Sequence, residues 1–269
     1  MNNLNFLISP QGEELLARLT QEDLAQANTL KLVTSLRKDY AADEVGAALT
    51  LARLRLKAMD KFGIDAARMF FTEDALQQAS DPHIRKYRAG LIGTSVLDAC
   101  CGIGADSLAF AAAGSAVIGV DLDPVRVRMA QLNAAALNLP NAQFRLDDVT
   151  KPQHAQTIFF DPARRDSTGK RIYDVERYLP PFSTVRGFDA ETIAVKLSPG
   201  VDLAQLEAYG GHVEFISVDG DLKEAILWID GQSGDSVATL IAHGEILHWH
   251  EAVADALLDA PRRWLIEPD

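Results

Sequence analysis

Val96-Leu97-Asp98-Ala99-Cys100-Cys101-Gly102-Ile103-Gly104-Ala105-Asp106-Ser107 is the stretch on which the fold turns. Ser95–Ala99 is a short apolar run of strand length, and Ile103–Ala113 has the spacing of a helix. Between them stands a Gly-x-Gly turn. Gly102 and Gly104 lack a Cβ, so the backbone can bend sharply there and approach a ligand closely. An acid, Asp98, lies near the end of the strand, where it can orient a polar end of that ligand.

The same rhythm continues downstream. Ala116–Val120 reads as a strand and Pro124–Leu137 as a helix. Ala142–Leu146, Thr157–Phe160 and Thr192–Leu197 read as further strands. Short strands alternating with helices predict a parallel sheet with covering helices. Val213–Val218 and Glu224–Ile229, separated by Asp219-Gly220-Asp221-Leu222-Lys223, predict an antiparallel hairpin. Val237–Ala242 and Glu245–Trp249 predict another around His243-Gly244.

Upstream, residues 1–93 read as helical. Asp43 is the expected N-cap of a helix with Val45, Ala48, Leu49, Ala52, Leu56 and Met59 on its apolar face, stopped by Gly63. Asp81-Pro82 is a second helix start. The chain thus divides into a helical domain (1–93), a sheet domain (94–235) and a β extension (236–269), with a hinge at Ser233-Gly234-Asp235.

Acids recur at successive strand ends. Asp121 closes the second strand, and a carboxylate there accepts hydrogen bonds from both hydroxyls of a ribose. Asp147-Asp148-Val149 closes the third, where a carboxylate can accept from an adenine amine. Cys100, Asp106 and Leu122 flank these positions and complete the expected nucleoside-binding set: Asp98, Cys100, Gly102, Gly104, Asp106, Asp121, Leu122, Asp147, Asp148 and Val149. Three acids suit a nucleoside that carries positive charge and no phosphate. A pyrophosphate-binding loop would want a third glycine where Ser107 stands. A plain tight turn is the alternative for an isolated Gly-x-Gly, and the matching acids weigh against it.

Charge is unevenly spread. The net charge is −12; residues 1–94 carry 12 acidic and 12 basic side chains, and residues 95–269 carry 26 and 14. So acidic a half is a poor generic nucleic-acid binder, because phosphate contacts need Lys and Arg. Any such partner must use a local basic patch, and Arg164, Arg165, Lys170, Arg171 and Arg177 supply the one dense cluster. The competing reading is a solvated loop with salt bridges to Asp161, Asp166 and Asp174. No apolar stretch reaches membrane-span length, no leader pattern opens the chain, and the adjacent Cys100 and Cys101 suit packing in a reducing cytoplasm. His248-Trp249-His250 puts two histidines on one strand face without further ligands, so no metal site is expected.

These motifs resemble the class I S-adenosylmethionine (SAM)-dependent methyltransferases, and more closely the bacterial group associated with a C-terminal THUMP-like domain. The resemblance runs from Leu54-Arg55 and Lys61-Phe62-Gly63 through Cys101-Gly102-Ile103-Gly104. It continues through Asp161-Pro162-Ala163-Arg164-Arg165, Val195-Lys196-Leu197-Ser198-Pro199-Gly200 and Val218-Asp219-Gly220-Asp221. A weaker likeness is to RNA cap guanine methyltransferases. The resemblance implies a Rossmann-like α/β sheet, mostly parallel with an antiparallel C-terminal hairpin, and SAM as cofactor. It also implies that 236–269 leads into a THUMP-like module.

Ile158-Phe159-Phe160-Asp161-Pro162 stands where amino-methyltransferases of this class carry Asp/Asn-Pro-Pro-aromatic. There Asp161 would accept hydrogen bonds from the target amine while Pro162 stiffens the loop. Ala163 and Arg164 depart from that pattern. Arg164 can stack on a base or pair with a phosphate, with Arg165 and Lys196 as further substrate-binding candidates. The leading expectation is methyl transfer to an exocyclic amine of an RNA base, with RNA met through the basic loop. The alternatives are transfer to a small molecule or protein, and a binding module without chemistry. Whether the Arg164–Arg177 loop faces the cofactor pocket discriminates the first alternative, and intact Asp121, Asp148 and Asp161 argue against the second.

Overall fold

The computed structural model describes residues 2–250 apart from 21, 23, 25, 166, 167, 232, 233 and 235. Four of the five residues in Ser95–Ala99 are buried, as are all four of Thr157–Phe160. Near-continuous apolar runs of this length mark central strands covered on both faces. The strands are β1 Ser95–Ala99, β2 Ala116–Asp121, β3 Ala142–Leu146, β4 Gln153–His154, β5 Thr157–Phe160, β6 Phe188–Asp189, β7 Thr192–Leu197, β8 His212–Val218, β9 Asp221–Ile229, β10 Val237–Ala242 and β11 Glu245–His250.

Nine of them form one sheet in the order β11-β10-β8-β9-β7-β5-β1-β2-β3, and β4 and β6 pair separately. Neighbours from β7 to β3 are parallel, whereas β9 runs antiparallel to both β7 and β8. The strand order reverses at β1, with β2 on one side and β5 on the other. A crevice opens outside the carboxyl ends at such a switch point.

The β8–β9 turn is tighter than the sequence suggested. Asp219 and Gly220 both have positive φ (50° and 89°), so β9 begins at Asp221 rather than Glu224. A two-residue primed turn matches the twist of the paired strands and lengthens both. His243-Gly244 does the same between β10 and β11. The C-terminal hairpin continues the main sheet, with β10 parallel to β8. Residues 251–269 of the expected extension, and Ser233 and Asp235 of the expected hinge, lie outside the described residues.

Among the described residues, six α-helices precede the sheet: α1 Asn2–Leu7, α2 Pro10–Leu19, α3 Gln26–Leu36, α4 Ala42–Phe62, α5 Glu73–Gln78 and α6 Pro82–Ala89. Asp81 caps α6 as expected, its Oδ1 accepting from the His83 N–H at 2.8 Å. Asp43 does not cap α4. The cap is Ala41, whose N–H donates to Glu44 three residues on, at 2.9 Å.

The apolar face of α4 also changes along its length. Val45, Ala48, Leu49 and Ala52 are buried, but Leu56 and Met59 are 62% and 43% exposed, and Leu51, Leu54 and Ala58 are buried instead. Gly63 turns the chain back along the second half of the helix, where the Arg55 Nε donates to the Met69 carbonyl at 2.9 Å. The stripe follows this new neighbour. No described helix is long and apolar enough to cross a membrane.

Helices α7 Ala105–Ala112 and α8 Pro124–Ala136 pack with α1–α6 on one face of the sheet in one continuous apolar cluster. Residues 1–93 are therefore distinct in secondary structure but share a core with the sheet. The opposite face is covered by Tyr178, Phe182, Val185 and Leu206, from short 3-10 turns rather than the expected α-helices.

Candidate active site

Outside the ends of β1, β2, β5 and β7 lies a cavity of about 910 Å3. The glycine turn forms one wall. Gly104 has φ 84° and caps α7, and a Cβ there would come within 3.1 Å of the Phe144 ring. It is a packing glycine behind the wall rather than part of it. Gly102 (φ 56°) does face the cavity, and a Cβ there would meet no protein atom within 4 Å. Its N–H donates to Asp121 Oδ2 at 2.9 Å, and the Asp123 N–H donates to Asp121 Oδ1 at 2.9 Å. Both Asp121 oxygens are fixed by backbone, and each keeps a lone pair for a ligand hydroxyl.

Leu122 and Val149 add apolar surface to this wall. Asp147 accepts the Asp148 N–H at 2.8 Å, and Asp148 accepts from the Thr150 hydroxyl at 2.7 Å and its N–H at 3.0 Å. Those Thr150 bonds hold the Asp148 carboxyl below its usual range. Cys100 also lines the cavity. Burial, and then Asp121, push its thiol up, and burial followed by Asp98 does so at Cys101.

Asp98 is not at the cavity wall. It is buried at 1% exposure and accepts a short hydrogen bond from the Ser107 hydroxyl. Burial, then the neighbouring Asp106, raise it to about 8. A strand residue one step before the strand end points beneath the turn, so Asp98 supports the loop from below.

The floor holds a charge cluster. Asp161 Oδ2 accepts from Lys196 Nζ at 2.7 Å, with Lys196 3% exposed and Asp161 25%. Arg88, fully buried on α6, donates to Asp106 at 2.9 Å and closely to Glu224 on β9. Burial alone would raise Asp106, but Arg88 and Lys196 outweigh it and hold it below the usual carboxylate range. At Glu224 burial wins over the same two cations, and its carboxyl is raised.

Arg164, Arg165 and Arg171 line the cavity beyond Asp161 and Pro162, whereas exposed Arg177 does not. Among the described residues, the expected salt bridges of this loop to Asp161 and Asp174 do not form. Asp161 pairs with Lys196, Asp174 accepts the Glu176 N–H at 3.0 Å, and Asp166 lies outside the described residues. Arg165 instead donates to the Gly169 carbonyl at 2.9 Å.

Arg88 and Glu224 were missed in the sequence, though both left a signal. Arg88 follows buried Ile84 by four residues, which places a cation on the inner face of α6. Glu224 alternates with Ile226 and Trp228, so its acid sits on a buried strand face.

A parallel sheet that reverses at β1, an antiparallel strand between β7 and β8, and acids at the ends of β2 and β3 define a nucleoside-binding methyltransferase fold. SAM fits the donor set on this wall. Backbone-fixed Asp121 suits a ribose diol, Leu122 and Val149 suit an adenine face, and the acids suit a sulfonium rather than a phosphate.

Comparison with known proteins agrees. Residues 96–161 match a family described as a methyltransferase domain, and residues 1–58 match a domain of unknown function. An uncharacterized SAM-dependent methyltransferase of Mycobacterium tuberculosis, matched in two strains, is 32% identical over 231 residues, which is 80% of this chain and 63% of the relative. The chain thus spans less than two thirds of those relatives. The 23S rRNA (uracil(1939)-C(5))-methyltransferase RlmD of Photobacterium angustum is 36% identical over 188 residues, 62% of this chain and 83% of that protein. A solved Porphyromonas gingivalis W83 protein described as a methyltransferase superposes with a TM-score of 0.63 at 20% identity, over 79% of this chain and 59% of that one. The chain belongs to the SAM-dependent methyltransferases.

Proposed function

We propose that this chain methylates an amine nitrogen of an RNA base. The observation that carries the reading is the shared cavity. Asp161, anchored by Lys196, opens into the same space as Arg164, Arg165 and Arg171, in the half of the chain with a large acidic excess. Cations held at a cavity in an otherwise acidic half suit a phosphate backbone, whose contacts position the substrate without reading its sequence. The resemblance of Asp161–Arg165 to the THUMP-like-associated enzymes belongs to this same reading.

SAM supplies an activated methyl group and a neutral thioether leaving group. What the chain must add is orientation. Asp161 accepts an N–H of the target amine and directs its lone pair at the methyl carbon, with Pro162 fixing the turn. The RlmD relative is named for transfer to a pyrimidine carbon. Such transfer uses a thiolate that adds to the ring, and burial disfavours the thiolate at both cysteines here.

The test is a radiolabelled-methyl screen of RNA, DNA, protein and metabolite fractions. RNA should take the label. Asp161→Ala should keep the affinity for the demethylated product S-adenosylhomocysteine (SAH) and lose about a hundredfold or more in turnover. Arg164→Ala should chiefly raise the KM for RNA. Label confined to protein or metabolites, or full turnover by Asp161→Ala, defeats the reading.

A further inference from the structure

Glu224 has no place in the mechanism so far, yet it lines the cavity floor while only 4% exposed. Its Oε1 is bound by Arg88. Its Oε2 has no hydrogen-bond partner among the described residues. Buried side-chain atoms without a partner there number two, the Nε atoms of Arg85 and Arg88, so Glu224 Oε2 reaches accessible space. Asp161 repeats the arrangement: Oδ2 is held by Lys196, and Oδ1 has no described partner.

Strand register brings the two acids together. Val195 on β7 pairs with Phe160 on β5, so Asp161 follows beside Lys196. Lys196 pairs with Ile226 on β9, and Leu197 with Ala225, so Glu224 stands beside Ser198 at the same end. Side-chain alternation puts Asp161, Lys196 and Glu224 on one face. Two carboxylates flank one lysine, each with one oxygen tied to a buried cation and the other turned to the cavity.

We propose that Glu224 is a second acceptor-binding carboxylate, which with Asp161 holds both N–H bonds of a primary amine, so that the pocket selects an amino-bearing base over uracil. This rests on the amine-methylation reading above. A carboxylate accepts and cannot donate unless protonated. An exocyclic amine offers two donors to the two free oxygens, and a remaining Lys196 proton can meet a ring carbonyl. Uracil offers one N–H between two carbonyls, and those would face carboxylates. In the reaction the N–CH3 bond forms from the nitrogen lone pair as the S–CH3 bond breaks, with sulfur keeping its electron pair. Positive charge arises on nitrogen between two anions, and one N–H proton then leaves through the carboxylates to solvent.

The experiment is calorimetric titration of the full chain, saturated with SAH, with AMP, CMP, GMP and UMP. At least one amino-bearing nucleotide should bind about tenfold or more tighter than UMP, the ratio expected for one charge-assisted hydrogen bond. Glu224→Gln should bring that preference within about twofold of UMP while SAH affinity stays unchanged. Should Glu224→Gln fail to fold, Glu224→Asp keeps the charge near Arg88 but withdraws the free oxygen, and it should lose the preference likewise. Equal binding of UMP by the wild type, no nucleotide binding at all, or a preference that survives in either folded variant overturns the proposal. Absence of SAH binding overturns the methyltransferase site beneath it, and so separates the two failures.

Discussion

Arg88→Met is the substitution with the largest expected effect away from the ligands. The guanidinium is 0% exposed, and its partners Asp106 and Glu224 are 8% and 5% exposed, so solvent does not screen the pairs. Methionine fills much of the volume over the Phe159 ring, which the guanidinium carbon approaches at 4.7 Å from the centroid. What is lost is charge, and two carboxylates remain buried without it. Removing one partner of a buried pair costs about 3–5 kcal/mol. At roughly 2–4 °C per kcal/mol for a chain of this size, the melting temperature should fall by about 6–20 °C.

The sign of the pH dependence follows from the two acids. Burial raises Glu224 even in the wild type, and Asp106 owes its lowered value to Arg88 and Lys196. Without Arg88 both folded-state values rise. A raised carboxyl contributes stability that is fully present below its unfolded-state value and lost as pH rises through its folded-state value. The deficit of the variant should therefore be smaller near pH 5 than near pH 8. Urea unfolding at both pH values, with Glu224→Gln added in the variant background, measures this. The added substitution should restore part of the loss, because it neutralises one stranded charge. A deficit below about 1 kcal/mol, or one equal at both pH values, would refute the account of Arg88 as the cation that permits this floor.

Two other substitutions test the loop that carries the cofactor wall. Gly104→Ala places a Cβ in the left-handed region 3.1 Å from Phe144 and should cost about 1–3 kcal/mol in chemical unfolding; a loss under about 0.5 kcal/mol would mean the turn relaxes freely. Asp98 is raised to about 8 in the folded chain from an ordinary value near 3.8, so its stabilising contribution fades as pH climbs through about 8. Asp98→Asn should flatten that part of the stability–pH curve, and an unchanged slope would show that another group titrates there.

Much of the sheet was legible because apolar runs of four to six residues between turn signals leave few alternatives. Asp121, Leu122, Asp147, Asp148 and Val149 fall at strand ends, so finding the strands found the wall. Asp98 and Gly104 misled for a local reason. One residue of phase along a strand or turn decides whether a side chain faces the ligand or the packing beneath it, and spacing alone does not carry that phase. The helix α4 stripe failed similarly, since it follows whichever segment folds back on it. Glu224 and Arg88 were hidden because their meaning is pairwise and 136 residues apart. The local pattern places each on an inward face, but the partner lies in another window and the buried pair exists only after the sheet has closed.

That pairing changes what the helical region is for. Neighbouring residues of α6 reach two different parts of the sheet. Arg88 holds the floor of the cavity, and the Tyr87 hydroxyl donates to Glu214 on β8 at 2.5 Å. Glu214 also accepts from Trp228 Nε1 at 2.9 Å and from Thr239 on β10 at 2.5 Å, so it ties β8, β9 and β10 to the helix. A helix of eight residues fixes its own geometry weakly in water, and tertiary contacts must supply the rest. Here those contacts are the buried Arg88 ion pairs and the Tyr87–Glu214 hydrogen bond, and they bind the helix to both the reaction floor and the antiparallel edge. Without α6, Asp106 and Glu224 lose the Arg88 guanidinium, and Glu214 loses the Tyr87 hydroxyl while keeping Trp228 and Thr239. The helical region is accordingly a structural part of the active site, and the site is complete only when residues 82–89 are docked on the sheet.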